Sequence, residues 1–552
     1  MRLFSCFLLF IVFSSLSCGK SNSPGVIAGA TFSYENVLIN GNSAIQQQNG
    51  VNRNPVIIVK FTASVNTQSA QQNIAITNEQ GIKIPSNISF INGDSTVILQ
   101  PQNSLAFLSQ YGININASLV AKNNATINSS SNFPFQTLLD PSDKFPRISD
   151  AQLLDSVERR TLTYFTDFSH PVSGMARERN TSGDIVTSGG TGFGVMAIIA
   201  GVNRGFLSRS DGRDRVLKIV DFLSTKCTRY HGAFAHWING SSGVTIPFSA
   251  NDNGGDLVET SYLIQGLLAA RQYFDQADPS ETSLRAKINA IWEGVEWDWY
   301  RKSNENALYW HWSSDKGWIM NMRVQGWNET LITYIMAASS PTHSIPFEVY
   351  EQGYARSGGM RNGNAYYGYT LPLGPSNGGP LFFAHYSFLG IDPNGLKDKW
   401  ADYEIQVKNH SFINQKYCIT NPKKYYGYSD SCWGLTASDN ANGYSAHEPN
   451  NDLGVISPTA ALSSMPYTPA ASMGALQYFY YKLGDKTWKQ YGFIDAFELN
   501  RPWFASSFLA IDQGPIVVMI ENYRSGLLWN LMKTCPEVKA GMKKLGFTAP
   551  YL

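Results

Sequence analysis

The sequence predicts two domains, an all-β sandwich followed by an all-α (α/α)6 barrel of paired inner and outer helices. Three observations predict it. The hydrophobic period changes from short strands to amphipathic helices near residue 140. Residue usage changes with it, because all 13 Trp lie from Trp237 onward and all 8 His from His170 onward. The total of 552 residues allows three or four domains at ~150 residues each, but one helical barrel accounts for roughly 400 of them.

Composition narrows the function. Lys+Arg 43 against Asp+Glu 42 leaves a net charge of +1. Such a chain has no long-range field to gather polyanions, so nucleic acid is not an expected partner. Charged residues make up 15% and aromatics 13%, against roughly 25% charged in an average soluble protein. Few charges and many aromatic faces suit a neutral, flat-faced ligand such as a sugar. Composition alone favours the same aromatics as core filler. With 43% hydrophobic residues, disorder and a multi-span membrane protein are excluded.

The first 17 residues read as an address. Met1-Arg2 is followed by a largely apolar run, Leu3 to Phe13, too short to span a bilayer. The ending Ser15-Leu16-Ser17-Cys18-Gly19 resembles a bacterial lipoprotein signal, with Cys18 as the lipidated residue. Ser15 stands where such signals carry Leu. The polar tether Lys20 to Pro24 lacks an acidic run. The expected location is the cell envelope, lipid-anchored, facing the periplasm from the outer membrane rather than the cell surface. No membrane contact is expected beyond that anchor.

Residues 25–138 carry short β-branched runs at 8–12-residue spacing, a sandwich pattern. Strands are expected at Pro55–Phe61, Ile74–Ile76, Ile82–Ile84, Thr96–Leu99 and Ile113–Asn116, with turns at Asn78–Gly81 and Asn92–Asp94. The segment Pro101-Gln102-Asn103-Ser104-Leu105 before Tyr111 resembles bacterial Ig-like modules. A spacer or docking role is expected there. A linker follows at Asp140 to Asp143.

Residues 149–552 carry helical runs from near Ala151, Gly192, Arg213, Asp256, Leu284, Glu329, Phe347, Leu381, Trp400, Ala470 and Pro515. In Asn251 to Thr260, Asp252, Asp256 and Glu259 are spaced i, i+4 and i+7, one face of a continuous helix. Helix capping explains one or two such acids; a third beside Gly254-Gly255 points to a site. Glu329 opens a second apolar helix and Asp512 a third, with Pro515 suited to the first turn. Aromatics accompany these acids: His236-Trp237, Trp310-His311-Trp312, Trp327 and Trp433 are the candidate sugar platforms.

Six cysteines are too few for a disulfide framework. Cys418 and Cys432 are close enough in sequence to be bridged. No CxxC pair or HExxH appears, so no metal and no cofactor is expected.

From about Ser149 onward the chain resembles the glucoamylase-like domain of glycoside hydrolase family 144. The resemblance rests on Gly189–Gly194, Asn251–Glu259, Gly326–Glu329, Trp433–Asp439, Ser457–Ala461 and Asp512–Pro515. It implies inverting hydrolysis of β-1,2-glucans in an (α/α)6 barrel, either internally or by release of sophorose from chain ends. It implies an acidic cluster at Asp252, Asp256 and Glu259 and a general acid at Glu329. Asp512 is the expected base, from its position at the same barrel end. End-acting release is the first expectation and internal cleavage the second. A glucoamylase acting on α-glucan and a non-catalytic envelope lipoprotein that binds glycans are the remaining alternatives. A monomer is expected.

Overall fold

The computed structural model describes residues 32–552. The signal segment 1–17 and the lipidation residue Cys18 lie outside the described residues. The chain divides into two compact units between Leu138 and Leu139.

The first unit is a sandwich of two sheets. One has the strand order Asn42–Ser43, Tyr34–Ile39, Ile57–Phe61, Thr96–Pro101, Ser86–Ile91. The other runs Gln48–Val51, Ser131–Thr137, Gln110–Ile115, Ile74–Asn78. Inward residues alternate along Ile57–Phe61, where Ile57, Val59 and Phe61 are buried while Lys60 is exposed. They meet Ile76, Ile113 and Phe135 of the other sheet in one core. The expected strand Ile82–Ile84 is not formed. Ile82 is exposed, and Lys83 makes a single bridge to Thr77. The partner strand is instead Ser86–Ile91, closed onto Thr96–Pro101 by the turn at Asn92–Asp94. All three turn residues there take positive φ, which Asn, Gly and Asp tolerate.

The second unit is mainly helical. Helices Ser188–Asn203, Leu257–Tyr273, Leu331–Ser339 and Ala510–Ser525 are buried almost throughout. Asp150–Thr166, Arg209–Thr225, Pro279–Glu293 and Pro536–Lys544 bury only one face. This division into wholly buried and half-buried helices is what the sequence periods encode. The innermost pair, Ser188–Asn203 and Leu257–Tyr273, touches backbone to backbone. A methyl group on Gly192 would overlap the Tyr262 carbonyl, and one on Gly266 would overlap Gly192. Among the described residues no helix is long and apolar enough to cross a membrane.

Two expected helices are replaced by shorter turns. The run at Phe347 becomes a π-helical turn, Val349–Tyr354, and the run at Leu381 becomes 3-10 turns, Leu381–Ala384 and Tyr386–Leu389. Gly379-Pro380 and Gly390 with Pro393 bound the second of these runs. The expected linker is also part of the helical unit. The Lys144 N–H donates to the Tyr481 carbonyl at 2.7 Å, and Asp143 pairs with Lys482 at 2.8 Å.

Candidate active site

The first acidic group does not lie on one helix. The helix begins at Leu257, with Asp256 as its N-cap accepting from the Glu259 N–H at 2.9 Å. Asp252 belongs to the preceding turn, where its N–H donates to the Ser249 carbonyl at 3.1 Å. Gly254-Gly255 cannot hold a helix there, because Gly255 and Asp256 pair as a ribbon with Trp312 and His311. The three acids still converge. His311 Nε2 lies 3.2 Å from Asp252 and 3.4 Å from Asp256, and His236 Nδ1 lies 3.5 Å from Asp256. Trp310 Nε1 donates to the same Asp256 oxygen at 3.1 Å.

Charge follows from this geometry. Burial works against an imidazolium at His236, but Glu259, Asp256 and Asp252 outweigh it and push its pKa up to about 9. At His311 burial is likewise outweighed by Asp252 and Asp256, and the pKa rises to about 10. Burial alone would raise Asp256, yet the two histidines hold it below the ordinary carboxylate range. His236, Asp252 and Asp256 each offer one donor atom within 4.8 Å of the others, so this set could hold a cation. With His311 charged between the aspartates, the same atoms are already balanced as ion pairs.

Glu259 faces the opposite wall. Its Oε2 accepts from the Gly189 N–H at 2.8 Å and from Thr187 Oγ1 at 3.1 Å. A side chain on Gly189 would collide with that carboxylate, which is the reason for glycine at the start of the Gly189–Gly194 stretch. Burial raises the Glu259 pKa, and the charge of Asp256 adds to the shift.

Glu329 stands just before the helix Leu331–Ser339, whose N-cap is Thr330. Its carbonyl accepts from Ser387 Oγ at 2.6 Å, which fixes the backbone. Burial pushes its carboxyl up to about 7, with Glu259 and Asp256 contributing in the same direction. This group is therefore half protonated near neutrality.

Asp512 is the third residue of the helix Ala510–Ser525, not its cap, and Pro515 lies inside that helix rather than in its first turn. Asp512 is buried beside Asp495 and Asp439. Asp495 Oδ2 accepts from the Asp439 N–H at 2.7 Å, while Asp439 is held by Arg179 Nη1 at 3.1 Å and Ser507 Oγ at 2.5 Å. Asp495 Oδ1 and Asp512 Oδ2 are buried and receive no hydrogen bond. Two adjacent orphan carboxyl oxygens are satisfied when one proton is shared between them. Burial and the neighbouring carboxylates raise both groups, Asp495 to about 7 and Asp512 well above its ordinary range.

A cleft of about 340 Å³ is lined by His236, Trp237, Phe248, Glu259, Tyr386 and Tyr444, among others, so that of the five expected acids Glu259 stands on its wall. Tyr386 lies within electrostatic reach of Asp512, Glu329 and Glu259 together. Phe248 stacks on His236 at 4.4 Å and meets Trp237 edge-on at 4.8 Å. Of the expected platforms, His236 and Trp237 line the cleft, while Trp310 and His311 hold the aspartates. Trp312 turns away, edge-on to His231 and Trp299. Trp327 and Trp433 are core residues, not sugar platforms. Trp327 is buried against Phe388 and Tyr403, and Trp433 is buried with Nε1 directed at the Ala471 carbonyl. Cys418 and Cys432 are free thiols, not a disulfide.

Sequence reasoning passed over Arg179, Phe248, Tyr386, Tyr444, Asp439 and Asp495 as site residues. A lone acid in the apolar run Phe493-Ile494-Asp495-Ala496-Phe497 was the available signal for Asp495.

Buried carboxyls with raised pKa values, set around an aromatic cleft, define the class of acid–base glycosidase sites. Residues 321–536 match the family model described as "Putative glucoamylase", and residues 39–137 match that of the bacterial Ig-like domain. The chain is 47% identical over 421 residues to an exo β-1,2-glucooligosaccharide sophorohydrolase (non-reducing end) of Parabacteroides distasonis. That match covers 72% of this chain and 58% of the relative's length. Among solved structures, an endo-β-1,2-glucanase from Chitinophaga pinensis is 53% identical, with a TM-score of 0.72. It covers 74% of this chain and is itself covered completely. A β-1,2-glucanase from Parabacteroides distasonis is 37% identical with a TM-score of 0.71, covering 94% of this chain and 74% of its own. The chain belongs to glycoside hydrolase family 144, with a bacterial Ig-like domain in front of its glucoamylase-like domain.

Proposed function

We propose that this protein is an inverting glycoside hydrolase that releases sophorose from the ends of β-1,2-gluco-oligosaccharides. The observation that carries the reading is the Glu329 carboxyl, raised to about 7 and within electrostatic reach of the cleft residue Tyr386, because a general acid must keep its proton near neutral pH. The sophorohydrolase relative supports end-acting release. The Chitinophaga endo-glucanase supports internal cleavage as the second reading. The alternation of buried and half-buried helices supports closure of the helical unit as an (α/α)6 barrel.

In this mechanism Glu329 protonates the glycosidic oxygen as its bond to the anomeric carbon breaks. Water attacks that carbon from the opposite face, and its proton passes to the free carboxylate of the Asp512–Asp495 pair. Inversion needs about 6.5–9.5 Å between the acid and the base so that the water fits. Asp512 and Asp495 hold one proton between them, so the pair keeps one carboxylate free to accept another.

The test is incubation with linear β-1,2-glucan, sizing of the products, and NMR of the newly formed anomer. Sophorose with inverted configuration is expected. A ladder of longer products supports internal cleavage, and an intact glucan with cleaved starch overturns the substrate reading.

A further inference from the structure

A second cavity of about 500 Å³ shares Arg179 and Tyr444 with the cleft. The rim between them is built rather than loose. Tyr444 lies on the hairpin Ala437–Asn440 and Gly443–Ala446, paired with Asp439, and Arg179 grips that same Asp439 through both of its oxygens. On the other side the Asn180 N–H donates to the Phe508 carbonyl at 3.1 Å, and the Phe508 N–H to Asn180 Oδ1 at 3.0 Å. Asn180 Nδ2 also donates to the Ser506 carbonyl at 3.0 Å.

The second cavity is also lined by Trp503, half-exposed on the short strand Trp503–Phe504. The other tryptophans that reach solvent each have a ring, cation or hydrogen-bond partner. Trp237, Trp299, Trp312, Trp318 and Trp488 meet other rings, and Trp310 and Trp400 donate to carboxylates. Among the described residues Trp503 has no such partner. Around it are Thr181, Asn440 and Ser506, which are neutral hydroxyl and amide groups. The one acid on the wall, Asp439, is already taken by Arg179 and Ser507.

We propose that this second cavity binds further glucosyl units of the same glucan chain, with Trp503 as its stacking platform. This rests on the proposed glucan substrate. A neutral wall of hydrogen-bonding groups with one open aromatic face suits a sugar ring, whose C–H face stacks while its hydroxyls are exchanged for fixed partners. Its volume falls within the range of small-ligand sites. Arg179 and Tyr444 would then lie beside the chain where it passes from one chamber to the other.

The experiment is a kinetic series over β-1,2-gluco-oligosaccharides of increasing length. Trp503→Ala should raise KM about tenfold for the longer members, leave the shortest cleaved substrate unaffected, and leave kcat unchanged. Trp503→Phe should restore most of the affinity and guards against a folding defect in the alanine variant. An unchanged KM at every length, or a kcat loss equal at every length, overturns the proposal. Binding decides it independently of turnover. In the Glu329→Gln background the same series, followed by tryptophan fluorescence, should bind more weakly once Trp503 is also replaced by Ala. Equal affinities, or no binding in either protein, overturn the chamber. Absence of turnover by the wild type, with length-dependent binding retained, overturns the hydrolase reading alone.

Discussion

Glu329 is the proposed general acid, and burial raises its carboxyl to about 7. Replacing it with Gln removes the proton but keeps the shape, so turnover should fall on the order of 10²–10⁴-fold while glycan binding persists. Near-wild-type rates in that variant would remove its acid role. The raised pKa also fixes a pH dependence. The active form is protonated, so activity should decline as pH rises through about 7. The same shift acts on stability. The folded state holds this proton above the unfolded value, so the associated stability is complete below that value and is lost as pH climbs through about 7. Glu329→Gln should therefore have the flatter stability–pH profile, read as melting temperatures at about pH 5 and about pH 8. Asp512→Asn should be equally inactive. Recovery of its activity with azide as an external nucleophile would support its role as base.

At the level of elements, the helix pair Ser188–Asn203 and Leu257–Tyr273 sets how closely Glu259 approaches Thr187 and Gly189. Gly192→Ala would drive a methyl into the Tyr262 carbonyl. The expected cost is about 1–3 kcal/mol, read as a lowered melting temperature of the helical unit, with activity falling in parallel. The sequence made this level largely legible. The runs at Ala151, Arg213 and Leu284 fall within helices because their apolar stripes repeat at the helical period. Less legible was where side chains point. Trp327 and Trp433 sit beside site-like motifs yet pack into the core, since adjacency along the chain says nothing about which side of a loop a ring takes. Asp252 was read as helical because spacing alone cannot register that Gly254-Gly255 would be drawn into a ribbon with Trp312. Asp439 and Asp495 are 56 residues apart, a pairing that no local pattern reports.

For the whole molecule, the division between Leu138 and Leu139 gives each unit its own core. Residues 139–552 alone should therefore fold and keep hydrolytic activity, as measured on the same oligosaccharides. Shortening that piece to begin at residue 149 removes the Lys144–Tyr481 and Asp143–Lys482 contacts, so its melting temperature should drop. Lipid attachment at Cys18 is a separate expectation of the whole chain, tested by whether Cys18→Ala releases the protein from membranes.

The free thiols of Cys227, Cys418, Cys432 and Cys535 carry a consequence for how this protein matures. Burial pushes Cys418 and Cys432 upward in pKa, so neither presents the thiolate that attacks a disulfide or reacts with an oxidant. Among the described residues the helical unit is held by packing, hydrogen bonds and ion pairs, with no disulfide. Its assembly needs no oxidase or isomerase, and its melting temperature and turnover should be the same with and without a strong reductant. Among the described residues, redox poise has no disulfide to act on.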